Sequence, residues 1–194
     1  MEKLIGFKKV KTAVFISGTG SNLKSLIKFS KLKKSPISIN LIISNNLNAK
    51  GLNFGNIFKI KKKIFNFKNQ DLAEKQIISQ LKKNKIKLIC LAGFMKILTK
   101  NFIKNFKGKI LNIHPSLLPK YKGLNTHKRT IQNKERFSGC TVHFVSSKLD
   151  SGKIIIQKKV RINKNDTDKS LAKKILMEEH KLYPKAITNI FSNL

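Results

Sequence analysis

Short apolar runs alternate along this chain with longer stretches of helical spacing, and this alternation constrains the fold more than any other feature. The first run, residues 12–17, is rich in strand-forming side chains and leads into a glycine-containing segment, residues 18–22. Leu23, Leu26 and Ile27 then follow at helical spacing. A strand, a glycine turn and a helix in this order begin a βα unit, which is the building block of a parallel sheet.

The pattern continues to the end of the chain. It predicts strands at residues 37–44, 63–67, 86–91, 109–113, 139–145 and 154–160, and helices at residues 49–60, 70–83, 97–106 and 168–191. Pro184 is expected to break or kink the last helix. We therefore predict an α/β fold with a mostly parallel central sheet and helices on both faces, in a three-layer Rossmann-like arrangement. The last strands lack a helix between them, so that part of the sheet is expected to be antiparallel or irregular.

The length of 194 residues is typical of one domain. We predict a single domain over residues 1–194, with a short N-terminal extension at 1–10 and a C-terminal helical segment at 166–194 packed on the same domain. The N-terminus lacks the apolar stretch of a secretory signal, and no apolar run is long enough for a membrane span. A cytoplasmic protein without a membrane partner is therefore expected, as a monomer or a homodimer.

The chain is strongly basic, with 42 Lys and Arg against 9 Asp and Glu and a formal net charge of +33. One interpretation is a nucleic-acid partner, because a basic surface attracts phosphates. The other is compositional drift, because the basic residues are mostly lysines scattered along the chain and Ile, Asn and Phe are also abundant. We favour drift, and expect weak non-specific nucleic-acid binding but no specific nucleic-acid partner.

Ligands of such sheets bind at the carboxyl ends of the strands, which draws attention to the loops after the predicted strands. The loop at residues 18–22 enters a helix and can offer backbone N–H groups and a positive helix end to a phosphate. The alternative is a tight turn in which Ser21 is the N-cap. The local pattern supports both interpretations equally.

Asn112 and His114 end a predicted strand, two residues apart, so their side chains point to the same side. A histidine there suits acid–base chemistry, and an amide can stabilise an oxyanion. Alternatively, both only satisfy backbone groups of the turn.

Asp150 can orient a nearby imidazole and raise its pKa, or can simply belong to a turn, which its local sequence favours. His143 either faces the site or lies in the core. No His, Cys or Asp cluster has metal-ligand spacing, so no metal is predicted.

Taken together, these segments resemble the formyltransferase family that uses 10-formyltetrahydrofolate. The segments that carry the resemblance, in order, are residues 16–23 (ISGTGSNL), 91–98 (LAGFMKIL), 111–121 (LNIHPSLLPKY), 139–145 (GCTVHFV), 149–152 (LDSG), Glu179-His180 and Tyr183-Pro184. They extend over nearly the whole chain, and a series of this length is far more specific than a single motif.

The resemblance implies transfer of a formyl group from 10-formyltetrahydrofolate to the amine of 5'-phosphoribosylglycinamide (GAR), a step of purine biosynthesis, without a metal. It implies catalytic roles for Asn112, His114 and Asp150, with Asn112 and a protonated His114 stabilising the developing oxyanion and Asp150 keeping the imidazole charged. The GAR-binding residues that it implies are Gly20, Ser21, Asn22 and Glu179. The folate-binding residues that it implies are Met95, Lys96, Ile97, Leu98 and Asn112.

Some positions depart from the family pattern. Gln70 stands where a basic residue is frequent, and Lys96 stands where arginine is frequent. Related enzymes that formylate methionyl-tRNA or hydrolyse the folate usually carry an additional domain, for which this length leaves no room, so a small phosphorylated substrate is expected. A nucleic-acid-binding protein on the same fold is a further alternative, but it would have no need of the Asn112, His114 and Asp150 set.

Overall fold

The computed structural model describes residues 9–191, so most of the predicted extension at residues 1–10, and residues 192–194, lie outside the described part. The strands are β1 Val10–Ile16, β2 Ile37–Ser44, β3 Lys61–Ile64, β4 Leu88–Leu91, β5 Lys109–His114, β6 Phe137–Phe144 and β7 Ile154–Arg161. The helices are α1 Ser21–Ser30, α2 Asn53–Ile57, α3 Gln70–Lys83, α4 Lys100–Asn105, α5 Thr126–Gln132 and α6 Asp168–Phe191, with a 3₁₀ turn at Lys50–Leu52.

The strands form one seven-stranded sheet in the order β3-β2-β1-β4-β5-β6-β7. β1 to β5 are parallel to one another, whereas β6 pairs antiparallel with both β5 and β7. The predicted mostly parallel α/β sheet is confirmed, and the antiparallel part lies where consecutive strands follow each other without a long helix. In this order, the carboxyl ends of β1, β4 and β5 lie side by side at the centre of the sheet.

Successive side chains of β1 point to opposite faces of the sheet and enter two separate cores. Val14 and Ile16 belong to the core covered by α1 and α6. Ala13 and Phe15 belong to the core covered by α3 and α4. All four are fully buried, which is why this central strand reads as a continuous apolar run. Helices on both faces complete the three layers.

Helix α6 packs across the middle of the sheet and is fixed there by Tyr183. The buried Tyr183 hydroxyl lies 3.1 Å from the Leu91 and Leu111 carbonyl oxygens, and so bridges β4 and β5. Pro184 does not break this helix, because α6 continues to Phe191, and the alternative of a kink stays a prediction. Burial of Tyr183, Ala186 and Ile187 on both sides of the proline holds the helix in place despite the missing N–H group.

Several predicted boundaries differ from the structure, three of them markedly. Strand β3 covers residues 61–64 rather than 63–67, and all its side chains are exposed because it is an edge strand. The predicted helix at 97–106 begins only at Lys100, after Thr99 accepts a hydrogen bond from the Phe102 N–H as its N-cap. The predicted helix at 49–60 is divided into the 3₁₀ turn and the short α2. Within residues 9–191, no helix combines the length and the apolar character that crossing a bilayer requires.

Candidate active site

A cleft of about 940 Å³ opens at the carboxyl ends of the central strands. The loop after β1 forms one wall, the loop after β4 forms another, and the end of β5 forms the floor between them. The loop after β6 and one side of α5 and α6 close the remaining edge. This is where an open α/β sheet places its ligands, because neighbouring loops diverge there.

The loop after β1 ends at Gly20, which is the N-cap of α1 and has φ 74°. A Cβ atom on Gly20 would lie 2.7 Å from the Gly51 Cα, so both the backbone angle and the close approach require glycine. Ser21 is the first residue of α1 rather than its cap, so the alternative in which Ser21 caps the helix is wrong. The N–H groups of the first turn have no acceptors within the helix and lie beside the cleft.

Asn22 and Glu179 meet at the same end of the cleft. The Asn22 Nδ2 atom donates to Glu179 Oε2 over 2.7 Å, and the two residues are only 8% and 6% exposed. Burial raises the pKa of Glu179 to about 6, although the bond from Asn22 opposes the shift. Asn22 Oδ1 has no hydrogen-bond partner among the described residues. The pair therefore presents two acceptor oxygens that could receive hydroxyl donors of a ligand.

The loop after β4 is held in place by contacts from two directions. The Met95 N–H donates to the Ser17 hydroxyl over 2.8 Å, and the Ser17 N–H donates to the Gly93 carbonyl over 3.0 Å. From the other side, Gln70 Nε2 donates to the Ile97 carbonyl over 2.7 Å. Gln70, which departs from the family pattern, therefore supports the wall of the cleft.

The predicted folate-binding residues divide into exposed and buried members. Met95 and Ile97 are each 63% exposed, and Lys96 is exposed between them. Leu98 is 4% exposed and packs in the core on the α3 and α4 side. Exposed large apolar side chains beside a cleft are typical of a surface that an apolar ring covers.

Asn112, His114 and Asp150 meet at the floor of the cleft. His114 Nδ1 lies 3.3 Å from Asp150 Oδ2, and Asn112 Nδ2 lies 3.4 Å from Asp150 Oδ1. The other ring nitrogen, His114 Nε2, lies 2.8 Å from the Tyr121 carbonyl. Gly123 N–H donates to Asp150 Oδ2 over 2.9 Å. The structure thus joins the two residues of β5 to a carboxylate from the loop between β6 and β7.

Both ring nitrogens of His114 face groups that only accept hydrogen bonds, so a protonated ring would satisfy both. Burial nevertheless lowers the pKa of His114 below its usual value, and the Tyr121 carbonyl and Asp150 oppose this only in part. Burial therefore opposes the charged imidazole that the resemblance implies, and the charge on His114 during the reaction stays a prediction. For Asp150, burial raises the pKa, but the contact with His143 and the Gly123 N–H outweigh burial, and the resulting pKa is below the usual range.

The sequence left open whether His143 faces the site or lies in the core, and the structure places it beside Asn112 and Asp150. Its Nε2 atom is 3.2 Å from Asn112 Nδ2 and 3.7 Å from Asp150 Oδ1, and its Nδ1 atom is 2.8 Å from the Phe144 carbonyl. The antiparallel register explains this, because β6 pairs His143 directly with Asn112 of β5. Only the pairing of these two strands could have revealed the contact.

His127 is a cleft residue to which sequence analysis assigned no role. It lies on α5, as predicted, and is half-buried at the edge of the cleft. Its Nδ1 atom is buried and has no hydrogen-bond partner within residues 9–191. Asn125 precedes it as the N-cap of α5, with a left-handed φ of 56°. Across the same described range, no group of three or more His, Cys, Asp and Glu side chains is arranged to hold a metal ion.

A close approach at Gly152 fixes the loop that carries Asp150. A Cβ atom on Gly152 would lie 1.6 Å from the Phe144 carbonyl oxygen, so only glycine fits between this loop and the end of β6. Asp150 itself adopts φ 44°. The carboxylate therefore reaches His114 because the chain reverses tightly beside it.

Comparison with known proteins agrees with this architecture. The sequence profile described as formyl transferase matches residues 10–187. A phosphoribosylglycinamide formyltransferase of Haemophilus influenzae is 42% identical over 180 residues, which cover 91% of this chain and 85% of that protein. The human trifunctional purine biosynthetic protein adenosine-3 is 39% identical over 188 residues, and this chain spans only 19% of its length.

Solved structures give the same result. The crystal structure of phosphoribosylglycinamide formyltransferase from Anaplasma phagocytophilum matches with a TM-score of 0.91 at 40% identity, covering 96% of this chain and 88% of that chain. The enzyme of the same name from Brucella melitensis matches with a TM-score of 0.90 at 37% identity, over 96% of this chain. In sequence and fold, this chain belongs to the formyl transferase family.

Proposed function

We propose that this protein transfers the formyl group of 10-formyltetrahydrofolate to the amine of GAR, giving formyl-GAR and tetrahydrofolate in purine biosynthesis. The observation that carries the proposal is the Asn112, His114 and Asp150 cluster at the floor of a cleft with a helix start at one end and an apolar wall at the other. The names of the similar proteins support the same activity.

The two substrates would occupy opposite parts of the cleft. The N–H groups of Gly20, Ser21 and Asn22 suit the phosphate of GAR, because a helix start attracts anions. Glu179 would accept hydrogen bonds from the ribose hydroxyls. The apolar wall of Met95 and Ile97 suits the flat ring of the folate, with Lys96, Leu98 and Asn112 beside it.

The reaction forms a bond between the GAR amine nitrogen and the formyl carbon and breaks the bond from that carbon to N10 of the folate. Asn112 Nδ2 lies 3.2 Å from His143 Nε2 and 3.4 Å from Asp150 Oδ1. The contact to Asp150 is the longer and weaker of the two, so the N–H that makes it can donate to the formyl oxygen instead. A preorganised amide donor of this kind contributes about 3–4 kcal/mol to lowering a barrier.

The proton of the attacking amine must travel to N10. His114 is the group that accepts the proton, because Asp150 and the Tyr121 carbonyl both lie where they stabilise the charged ring. The resulting imidazolium is stabilised by Asp150 at 3.3 Å and by the Tyr121 carbonyl at 2.8 Å, and it lies beside the developing oxyanion. It then gives the proton to the leaving nitrogen. The residues present require no metal for these steps.

We also propose the location, substrates and assembly state of the active protein. The chain would act as a single formyltransferase domain over residues 1–194 in the cytoplasm. GAR and 10-formyltetrahydrofolate would be its small-molecule substrates, and the protein would act as a monomer or a homodimer.

A spectroscopic assay of folate turnover with and without GAR tests the proposal. Turnover that requires GAR, and that falls at least about 100-fold in His114→Asn, would support it. The matched control is His180→Asn, which changes a half-buried histidine of α6 outside the cleft and should leave turnover intact. Turnover without GAR would instead identify a hydrolase, and equal activity of both variants would remove His114 from the reaction.

A further inference from the structure

Two lysines lie at, or shortly before, the start of every parallel strand. In sheet order from β3 to β5, these pairs are Lys59 and Lys61, Lys33 and Lys34, Lys9 and Lys11, Lys85 and Lys87, and Lys107 and Lys109. We call these residues the lysine row. All are exposed except Lys9, which is half-buried and donates to the Ser30 and Leu32 carbonyls at the end of α1, over 2.8 Å each.

The pairs are neighbours in space as well as in pattern. The Lys87 N–H donates to the Lys11 carbonyl over 2.9 Å, and the Lys109 N–H donates to the Lys87 carbonyl over 3.0 Å. Adjacent strands are about 4.8 Å apart, so the row extends about 20 Å across five strands. The row lies at the amino ends of these strands, whereas the cleft lies at their carboxyl ends.

Within residues 9–191, no lysine of the row forms an ion pair with an acidic side chain. Between residues 9 and 134, the acidic residues are Asp71 and Glu74. Both lie in the first turns of α3, and Glu74 is buried and accepts hydrogen bonds from Thr99. These turns are on the cleft side, where neighbouring Gln70 contacts Ile97. The lysines of the row therefore repel one another without internal compensation, which disfavours the compact state.

Helix ends account for only part of the row, since Lys9 already donates to two carbonyls at the end of α1. Lysines favour the negative ends of helices, and the last turns of α1, α3 and α4 already contain Lys28, Lys82, Lys83 and Lys104 for that purpose. The row comes in addition to these and follows the strand starts. An external anion is the remaining source of compensation.

A cavity of about 390 Å³ opens between the lysines of β4 and β5. Lys85, Lys87 and Lys107 stand around it, and Ile86 and Phe106 contribute to its apolar lining. A recess with cations at the rim and apolar walls suits a flat ring whose attached phosphates remain outside. A nucleobase of a single strand has these properties.

We propose that the lysine row binds the phosphodiester backbone of a single-stranded nucleic acid, independently of its sequence, with the cavity receiving one unstacked base. A narrow row of cations across about 20 Å of sheet matches a linear polyanion, whereas a membrane would require a broad flat patch. The site lies on the opposite side from the cleft, so the bound strand would leave the cleft accessible.

The test compares two sets of five exposed lysines that carry the same charge. In the row variant, Lys11, Lys34, Lys61, Lys87 and Lys107 are changed to Gln. In the control variant, Lys128, Lys158, Lys164, Lys169 and Lys173 are changed to Gln. Binding of a fluorescein-labelled 20-nucleotide single-stranded RNA is measured by anisotropy between 50 and 300 mM NaCl, with thermal unfolding and formyl transfer as checks of folding.

We expect the row variant to flatten the slope of log K against log salt by about 3, at roughly 0.7 for each lost phosphate contact, and to weaken binding at least about tenfold. The control variant should change the slope by less than about one. Equal losses in the two variants would show that total charge alone is responsible and would overturn the proposal. The proposal would also be overturned if the row variant bound phosphatidylglycerol vesicles more weakly than the natural chain but bound the RNA with the same affinity.

A second pair of variants, with two substitutions each, tests the proposal if the variants with five substitutions fail to fold. Lys87→Gln with Lys107→Gln changes both sides of the cavity, and Lys164→Gln with Lys169→Gln is its control. The first pair should also reduce the preference for the single strand over a 20-base-pair duplex. No preference for the single strand in the natural chain would exclude the base in the cavity.

Discussion

At the scale of single residues, the cleft contains two carboxylates whose surroundings shift their pKa values in opposite directions. Glu179 is buried with one donor, and its pKa is raised to about 6. Asp150 is in contact with His143 and the Gly123 N–H, and its pKa is lowered. Divergent pKa values of carboxyl groups that line one cleft are typical of active sites.

Replacing Glu179 by Gln should stabilise the protein at neutral pH while weakening GAR binding. The folded state keeps the Glu179 proton up to about pH 6, whereas the unfolded chain releases it near 4.5. Folding stability is therefore lost as pH rises between these values, by about 2 kcal/mol in total. The Gln amide could also donate to the unpartnered Asn22 Oδ1. Urea unfolding should show a gain for Glu179→Gln at pH 7.5 and none at pH 4; a loss at both would contradict the explanation.

Replacing Asp150 by Asn should lower the pKa of His114 further, because the nearby carboxylate raises it. We expect turnover to fall by about 100-fold or more, since the imidazolium loses its ionic partner. An NMR titration of the His114 ring measures the pKa directly, with Asp71→Asn, an exposed residue of α3, as the control. An unchanged His114 pKa in Asp150→Asn would mean that the two groups are not coupled.

At the scale of elements, the site depends on how loops end the strands. Strand β5 supplies Asn112 and His114, but Asp150 reaches them only because the loop after β6 folds tightly against Phe144. The wall after β4 likewise depends on Ser17, which follows β1, and on Gln70 from α3. The position of Asp150 and that of the loop after β4 thus depend on contacts from other elements.

Gly152→Ala should disturb the cluster through this loop. The new methyl group would meet the Phe144 carbonyl oxygen at 1.6 Å, so the loop must move, at a cost of about 1–3 kcal/mol in unfolding free energy. Turnover should fall together with stability as Asp150 shifts away from His114. Gly18→Ala is the control for stability, because a Cβ there has nothing within 4 Å. Equal stability of the two variants would show that the loop adapts freely.

At the scale of the whole molecule, the net charge of +33 acts on every element at once. Several acidic residues form local pairs, such as Asp166 with Lys174 at 2.6 Å and Glu135 with Lys120 at 2.9 Å. Most lysines have no such partner charge, because acidic residues are so few. Long-range repulsion between like charges therefore opposes folding, and it is sensitive to ionic strength.

Raising NaCl from 20 to 200 mM should raise the melting temperature of the natural chain by several degrees. Screening shortens the range of repulsion to about 8 Å, and each kcal/mol recovered corresponds to roughly 2–4 °C for a chain of this size. Differential scanning calorimetry without phosphate buffer measures this. The row variant should respond less than the natural chain, and a melting temperature that falls with salt would show that attractive pairs dominate.

The sequence by itself determined the features that depend on local periodicity. Alternation of apolar runs and helical spacing predicted the parallel sheet, and the two-residue period of β5 predicted that Asn112 and His114 share a side. The position of the glycine loop before α1 followed from the same pattern. Of the break or kink predicted at Pro184, the break does not occur, because burial of α6 along the sheet outweighs the local propensity of proline.

Only the tertiary structure decided which distant residues meet and how far they are buried. Asn22 and Glu179 are 157 positions apart, and His143 joins Asn112 solely through the register of β6. The lysine row likewise exists only because the sheet order brings five separate strand starts together. Burial also set the pKa of His114, lowering it where the adjacent carboxylate alone would raise it. Contacts and desolvation depend on the packing of the whole chain, which no local pattern contains.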